Sequence, residues 1–322
     1  RFYEWLWLMD NEVRQHMPMV YYHVWDNYPA PVYNKSWYES NDLIVSISKV
    51  TRDIVSEVSD KVKNIYLPHA VDSQYFKALP KEDVDKIKKQ QNLEGKFVFF
   101  WNNRNARRKM SGSLIYWFKQ FCDKIGHDKA TLIMHTDPQD PYGQDLDHII
   151  NHLGVNSGQI LLSREKVGPD HLSMMYNIAD CTINISDAEG FGLATLESLY
   201  CGTPIIVTMT GGLQEQVTDG KEWFGIGLEP SSKALIGSQQ VPYIFEDRIN
   251  GSDFIEALEK MYNMDEEERR AMGLKGQNHV ASNYSFENYE KRWVEIMDEV
   301  NKENGSWENR KNYSPWTLQK MN

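Results

Sequence analysis

Short apolar runs alternate with longer amphipathic stretches along this chain, a pattern typical of strand–helix–strand units and a parallel sheet. A first series of such units reaches Leu67. Its predicted strands are Met19–His23, Leu43–Ile47 and Asn64–Leu67. Its predicted helices are Phe2–Gln15, Asn34–Ser40 and Lys49–Ser56.

A second series follows the charged segment Lys77–Gly95, which we interpret as a linker with a short solvated helix. Its predicted strands are Phe97–Trp101, Ala130–Met134, Ile160–Leu162, Cys181–Ile185 and Pro204–Thr208. Its predicted helices are Leu114–Lys124, a helix ending at Leu153, His171–Ile178, Leu193–Tyr200, Ser252–Met261, Glu266–Ser282 and Phe286–Val300. About the last 20 residues are polar and are predicted to be poorly ordered.

Composition narrows the class of protein. A length of 322 residues, 41% of them hydrophobic, is enough for two cores. The net charge of −11 disfavours nucleic-acid binding, which needs surplus cations to neutralise phosphates. Three scattered cysteines, Cys122, Cys181 and Cys201, favour a reduced, cytoplasmic protein over a disulfide-linked one. No apolar run has the length of a transmembrane helix, and we interpret the aromatic opening Phe2–Met9 as core-facing, with peripheral membrane contact as the less favoured alternative.

The most informative segment is Ser186–Glu197, which follows a predicted strand and opens a helix. Sites in parallel sheets gather at the carboxyl ends of strands. Gly190 and Gly192 allow close backbone approach, and free N–H groups at a helix start suit a phosphate. Glu189 and Glu197 can accept hydrogen bonds from opposite ends of one ligand. The alternative is that Glu189 caps the helix and Glu197 is a solvated surface residue.

Two further segments make this pattern specific. Gly202-Thr203-Pro204 and Gly211-Gly212-Leu213-Gln214-Glu215 follow Glu197. Together with Glu189–Glu197 they resemble the donor-binding signature of glycosyltransferase family 4. The resemblance covers essentially the whole chain and is strongest over Phe97–Tyr284. It implies a GT-B fold of the α/β class, with two Rossmann-like domains facing a cleft.

The resemblance also implies roles for single residues. Glu189 would contact the donor sugar near the reaction centre, and Glu197 would bind the nucleotide ribose. The segment Ile160–Val167 would hold the nucleotide base. The diphosphate and the sugar would meet the backbone of Gly190, Phe191, Gly192 and Leu193.

A run of cations, Asn102–Lys109, follows the first strand of the second series. In isolation such a run is best interpreted as a solvated loop. Fixed cations beside a departing diphosphate would instead stabilise its developing charge. Arg104 and Lys109 match the two family positions that hold the diphosphate. We interpret Arg107 and Arg108 as outward-facing. The alternative is that one of them replaces Arg104 or Lys109 in holding the diphosphate.

His23 ends the predicted strand Met19–His23, where it can donate to a sugar hydroxyl or stabilise developing charge. A lone histidine is usually structural. Family members place a histidine in this region, facing the donor sugar. The candidate catalytic residues are therefore His23, Glu189, Arg104 and Lys109.

The resemblance further implies a domain division. Residues 1–78 would form the acceptor-side domain, joined by a crossing helix at 285–322. Residues 79–95 would link it to a donor-binding domain at 96–284. The chain begins at Arg1 and shows no first strand with a glycine-rich loop, so the amino-terminal domain is expected to be incomplete.

The predicted function is retaining transfer of a glycosyl group from a nucleoside-diphosphate sugar to an acceptor hydroxyl on a glycan, lipid or small molecule. No cofactor is expected. No metal is expected either, because the three cysteines show no Cys-x-x-Cys spacing. A non-catalytic sugar-nucleotide-binding protein and another GT-B enzyme, such as a nucleotide-sugar epimerase, are the alternatives. The base, sugar, acceptor and oligomeric state stay open.

Overall fold

The computed structural model describes residues 4–305, and their contacts divide the chain into two compact units. The first unit holds the described residues up to His69, the segment Leu235–Phe245 and the described residues from Glu287 onward. The second unit holds Ala70–Ala234 and Glu246–Phe286. The predicted start of the first helix at Phe2 and the predicted poorly ordered end, from residue 306 onward, lie outside the described residues.

The first unit contains a three-stranded parallel sheet in the order β1–β2–β3. Its strands are β1 (Val20–His23), β2 (Leu43–Ser46) and β3 (Lys63–Tyr66). Its helices before β3 are α1 (Glu4–Leu8), α2 (Asp10–Val13), α3 (Lys35–Glu39) and α4 (Lys49–Val58). Ile54, Val55 and Val58 lie on one face of α4 and pack with Ile44 of β2, as expected of an amphipathic helix beside a buried strand.

The second unit contains a six-stranded parallel sheet in the order β6–β5–β4–β7–β8–β9. Its strands are β4 (Phe97–Asn102), β5 (Ala130–His135), β6 (Ile160–Ser163), β7 (Cys181–Asn184), β8 (Ile205–Thr208) and β9 (Gly225–Leu228). Its helices are α5 (Lys81–Gln90), α6 (Ser111–Ile125), α7 (Leu146–Leu153), α8 (Pro169–Ile178), α9 (Leu193–Tyr200), α10 (Gln214–Val217), α11 (Gly251–Asn263) and α12 (Glu266–Asn283).

The centre of this sheet is covered on both faces. Phe99 and Trp101 of β4 pack with Phe118 and other residues of α6, whereas the ring of Phe100 contacts that of Tyr176 on α8. Burial on both faces explains why β4 is a continuous apolar run and lacks the alternation of a half-exposed strand.

The chain then returns to the first unit. Helix α13 (Phe286–Asn304) packs against β2, where Ile296 and Val300 contact a cluster with Leu43 and Val45. Between β9 and α11 the chain forms a two-stranded sheet, β10 (Ser232–Ile236) and β11 (Ile244–Arg248). The Ser231 N–H donates a hydrogen bond to the Arg248 carbonyl, and the Ser238 N–H donates one to the Val241 carbonyl. The two strands therefore form a hairpin.

Two predictions of local structure are wrong. The first helix was predicted to run to Gln15, but it consists of the short helices α1 and α2, which meet at Met9. No strand was predicted between Thr208 and Ser252, but this segment contains β9, β10 and β11. Strand β9 is half glycine and the hairpin strands are rich in polar residues, so neither produces an apolar run.

Candidate active site

The loops that follow β4 and β7 lie side by side at the middle of the six-stranded sheet. Strands β5 and β6 extend from β4 in one direction, and β7, β8 and β9 extend in the other. The strand order therefore reverses between β4 and β7. In open α/β sheets, ligands bind at such a switch point, outside the carboxyl ends of the strands. Both segments that carry the predicted site follow these two strands.

The two loops meet through a buried ion pair. The Nζ atom of Lys109 donates to Oε2 of Glu189, and both residues are less than a tenth exposed. The Asn184 amide donates to the same oxygen at 3.4 Å, and the Arg108 guanidinium lies 3.8 Å from it. Burial raises the pKa of Glu189, but Lys109 and Arg108 outweigh burial and bring the net pKa below its ordinary value. Glu189 is therefore a carboxylate, charge-compensated and shielded from water.

The three arginines of the same loop have different partners. Arg104 is an exposed residue whose guanidinium pairs with Asp140 at 2.6 Å and lies over the ring of Tyr142. Arg107 pairs with Glu246, the middle residue of β11. Arg108, predicted to face outward, donates to the Ala188 carbonyl at 2.5 Å beside Glu189. Of the two predicted cations, the structure thus brings Lys109 to Glu189 and pairs Arg104 with Asp140.

The start of α9 depends on two glycines. Gly192 precedes the helix with φ of 96° and, as a glycine, has no side chain that could cap this end. A Cβ at Gly192 would lie 2.5 Å from Cδ2 of Leu213. A Cβ at Gly212 would lie 2.6 Å from Cα of Phe191, and the Gly212 N–H donates to the Glu189 carbonyl at 3.0 Å. Gly212 therefore lets the chain lie directly against the Gly190–Phe191 turn.

Gly212→Ala should displace this turn, because the new methyl group meets backbone atoms that cannot rotate away. We expect a loss of about 1–3 kcal/mol in the free energy of unfolding, as for overpacking elsewhere. Urea denaturation measures this loss. Gly168→Ala is the matched control, since Gly168 has φ of −71° and a methyl group there would meet no atom within 4 Å. Equal stability of the two variants would contradict a close approach at Gly212.

Glu197 lies on α9 and is mostly buried. The Tyr176 hydroxyl donates to its Oε2 at 2.7 Å and accepts from the Asn102 amide at 2.8 Å. Burial raises the pKa of Glu197 to about 7, although the Tyr176 hydrogen bond acts in the opposite direction. The interpretation of Glu197 as a solvated surface residue is therefore wrong. The capping interpretation of Glu189 is also wrong, because that carboxylate pairs with Lys109.

His23 belongs to the first unit. It ends β1, as predicted, and is 4% exposed. Its Nε2 lies 2.8 Å from the Tyr38 hydroxyl, whereas its buried Nδ1 has no hydrogen-bond partner among the described residues. Burial lowers the pKa of His23 to about 3, so the imidazole is neutral at physiological pH.

The predicted base-binding segment follows the edge strand β6. Ser163 Oγ lies 2.9 Å from His135 Nδ1, and the exposed Arg164 pairs with Asp147 on the surface. Ser163 and Val167 also line a mostly apolar cavity of about 340 Å³, between α5, α8 and the sheet. The charge of Arg164 is therefore paired with that of Asp147 at the surface.

Sequence reasoning missed four residues beside the site. Tyr176 and Asn102 orient Glu197, but a tyrosine within an amphipathic helix and one asparagine in a polar run carry no signal of their own. Asp187 lies inside the motif segment and had no assigned role. Glu246 contacts the cation loop from 139 positions along the chain, a separation that sequence patterns do not reveal.

The chain is similar to a known protein family and to several named proteins. The family model of "Glycosyl transferases group 1" matches residues 83–279, more than half of the chain. The D-inositol 3-phosphate glycosyltransferase of Paenarthrobacter aurescens is 29% identical over 138 residues, 43% of this chain and 28% of that protein. The trehalose synthase of Rubrobacter xylanophilus is 25% identical over 223 residues, 68% of this chain and 48% of that protein. The matched region thus spans less than half of each relative's length.

Solved structures share the fold. Anabaena HepE, crystallised with UDP and glucose, has a TM-score of 0.69 at 17% identity, covering 88% of this chain and 72% of that one. Sucrose-phosphate synthase from Thermosynechococcus elongatus has a TM-score of 0.67 at 18% identity, covering 83% and 60%. Within residues 4–305, no helix has both the length and the apolar character needed to cross a membrane. The predicted α/β, Rossmann-like fold class is confirmed, and the chain belongs to the group 1 glycosyl transferases.

Proposed function

We propose that this protein transfers a glycosyl group from a nucleoside-diphosphate sugar to an acceptor hydroxyl, with retention of anomeric configuration and without a metal. The observation that carries the proposal is the buried Lys109–Glu189 pair at the switch point, beside the uncapped start of α9. A cation and a helix start together favour an anion. Relatives named as glycosyltransferases and a neighbour crystallised with UDP support this choice of donor.

Lys109 would contact the diphosphate while Glu189 orients the sugar. The backbone of Gly190, Phe191, Gly192 and Leu193 would meet the diphosphate and the sugar, and Glu197 would accept hydrogen bonds from the ribose. For the second cation there are two candidates. Arg104 would exchange Asp140 for phosphate, whereas Arg108 already lies beside Glu189.

In the proposed reaction, the bond between the anomeric carbon and the phosphate oxygen breaks and its electrons stay on that oxygen. The acceptor oxygen bonds to the same face of the anomeric carbon. The acceptor proton passes to the departing phosphate oxygen, so the protein supplies no separate base. Charge accumulates on the phosphate in the transition state, where Lys109 stabilises it. The sugar-positioning role of His23 and the cytoplasmic location stay predictions.

A thermal-shift panel of UDP, GDP, ADP and their sugars tests donor binding. A ligand that binds only the native state raises the melting temperature, so we expect one base to stabilise the protein more than the others. No shift with any nucleotide would contradict the proposal.

The best donor is then incubated with D-inositol 3-phosphate, glucose or diacylglycerol vesicles, with and without EDTA. We expect acceptor-dependent nucleotide release that EDTA does not change, and a product whose anomeric configuration by NMR matches that of the donor. Nucleotide binding with no release in any arm would identify a binding protein instead. Release without any acceptor product would favour a different GT-B reaction.

A further inference from the structure

The last three residues of the hairpin strand β11, Glu246, Asp247 and Arg248, lie against both loops of the candidate active site. They belong to the second unit, as do the loops. The chain forms this hairpin between β9 and α11, after the six strands of the main sheet are complete. The six-stranded sheet therefore does not need it for its own hydrogen bonding.

Four charged side chains form a closed cluster at this contact. Arg107 donates to both carboxylate oxygens of Glu246, at 2.8 and 2.5 Å. Arg248 donates to Glu246 at 2.9 Å and also pairs with Asp187. The side chains of Asp187 and Glu246 are only 3% and 4% exposed. Two carboxylates are thus buried next to two guanidinium groups, and the formal charges balance.

Backbone hydrogen bonds continue the contact into the site. The Asp247 N–H donates to the Asp187 carbonyl at 2.9 Å, and the Asp187 N–H donates to the Arg108 carbonyl at 2.8 Å. Strand β11, the loop after β7 and the loop after β4 therefore lie side by side. Lys109 directly follows Arg108, and Glu189 lies two positions after Asp187; their ion pair is the centre of the proposed site.

We infer that Glu246 and Arg248 are positioning residues for the donor site, and that the end of β11 holds Lys109 and Glu189 in register with each other. This inference rests on the proposed function. Its physical basis is the charge balance of the cluster. Loss of the Glu246 charge would leave two guanidinium groups sharing one carboxylate, and the freed Arg107 would no longer hold its loop.

The titration behaviour of the cluster agrees with this arrangement. Burial raises the pKa of Asp187 to about 6, against the opposing effect of Arg248. Burial also raises the pKa of Glu246, but Arg107 and Arg248 outweigh it and bring the net pKa below its ordinary value. Glu246 is therefore the carboxylate that depends most clearly on its arginine partners for its charge.

The inference is tested with Glu246→Gln, which keeps the size of the side chain and removes its charge. Hydrogen–deuterium exchange should become at least about tenfold faster at the amides of Asp187 and Asp247, because opening of the ladder exposes both. The kcat for the best donor should fall at least about tenfold with little change in nucleotide affinity, because misplacement of Lys109 and Glu189 affects the transition state most. A double variant with Arg107→Gln should be no slower than Glu246→Gln alone, since both changes break one contact.

Asp180→Asn is the matched control. Asp180 pairs with Lys88 at 2.9 Å and lies 3.5 Å from Arg269, just before β7 and so away from its carboxyl end. We expect this variant to lose stability but to keep the kcat of the wild type within about twofold.

Wild-type exchange rates at Asp187 and Asp247 in Glu246→Gln would overturn the inference, and so would an unchanged kcat or a kcat loss equal to that of Asp180→Asn. Failure of the proposed function is a separate outcome. It would appear as a wild-type protein that neither binds nor turns over any nucleotide sugar, and the exchange rates would still decide whether β11 holds the two loops.

Discussion

Replacement of Lys109 by methionine is expected to lower kcat for the best donor by about a thousandfold. Removal of one preorganised donor that faces developing charge typically costs about 10²–10³ in kcat. The effect should be near the upper end here, because Lys109 is buried and water cannot replace it. Steady-state release of the nucleoside diphosphate measures the loss.

The same substitution should destabilise the fold, since it leaves the buried Glu189 carboxylate without its main partner. Breaking a buried ion pair by removing one member costs about 3–5 kcal/mol. Glu189→Gln in addition to Lys109→Met should recover most of that stability, because the pair is then neutral on both sides. Turnover should stay low in the double variant. The comparison of urea unfolding with kcat thus separates the chemical role of the Lys109–Glu189 pair from its structural role.

Lys124→Met is the control for this series, because Lys124 forms an exposed pair with Glu259 near the end of α6, away from the loops at the switch point. Its stability should change by about 1 kcal/mol or less, with unchanged turnover. Arg104→Ala and Arg108→Ala compare the two candidates for the second cation under the same assay. If the double variant of Lys109 and Glu189 recovered wild-type kcat, the leaving-group role of Lys109 would be wrong.

Much of the fold could be predicted from the sequence because the central strands β2 and β4 are short, largely apolar and buried. Strands β4 and β5 are largely apolar, and only their carboxyl ends were misjudged, by one residue each, because Asn102 and His135 are polar. The hairpin β10–β11 offered no such signal. Its buried Glu246 is charged, and it pairs with Arg107, a residue remote in sequence.

Within the candidate site, the sequence is most informative where backbone geometry dictates the residue. Gly192 and Gly212 lie where a side chain would collide with Leu213 or with the Phe191 backbone. This need for glycine appears in the sequence as a motif. The sequence does not reveal ion-pair partners in the same way. The sequence offers four cations between Arg104 and Lys109, and only the direction of each side chain shows that Arg108 lies beside Glu189 while Arg104 pairs with Asp140.

Glu197→Gln is expected to stabilise the protein at pH 8 while it weakens nucleotide binding. Burial raises the pKa of Glu197 to about 7, from an ordinary value of 4.5. Between these two pH values the folded state holds a proton that the unfolded state has released, so stability falls as pH rises through this window. At about 1.4 kcal/mol per pKa unit, the loss at pH 8 is about 3 kcal/mol. The glutamine variant avoids the loss and still accepts from Tyr176.

The melting temperature of Glu197→Gln should therefore exceed that of the wild type by about 5 °C at pH 8. The difference should disappear towards pH 4.5, where both side chains are neutral. Asp187 also has a raised pKa, about 6, and contributes its own loss of stability in this range. That contribution is present in both proteins, so the difference between them reports Glu197 alone.

Nucleotide affinity should respond in the opposite direction. A carboxylate accepts stronger hydrogen bonds from ribose hydroxyls than an amide does, so the variant should bind about tenfold more weakly at pH 8. The ratio of the two dissociation constants should shrink below pH 7 as wild-type Glu197 becomes protonated. The ionisation of the nucleotide cancels in this ratio, because both proteins bind the same ligand at each pH.

Tyr176→Phe supplies the matched variant, since it removes the hydrogen bond that lowers the pKa of Glu197 and leaves the carboxyl group in place. The midpoint of the affinity change should then move to a higher pH, with a free energy of unfolding that is no greater than that of the wild type. A pH-independent affinity ratio between Glu197→Gln and the wild type would remove Glu197 from the ribose site. A midpoint that Tyr176→Phe leaves unmoved would show that Tyr176 does not set the charge of Glu197, so the two variants test the ligand contact and its tuning separately.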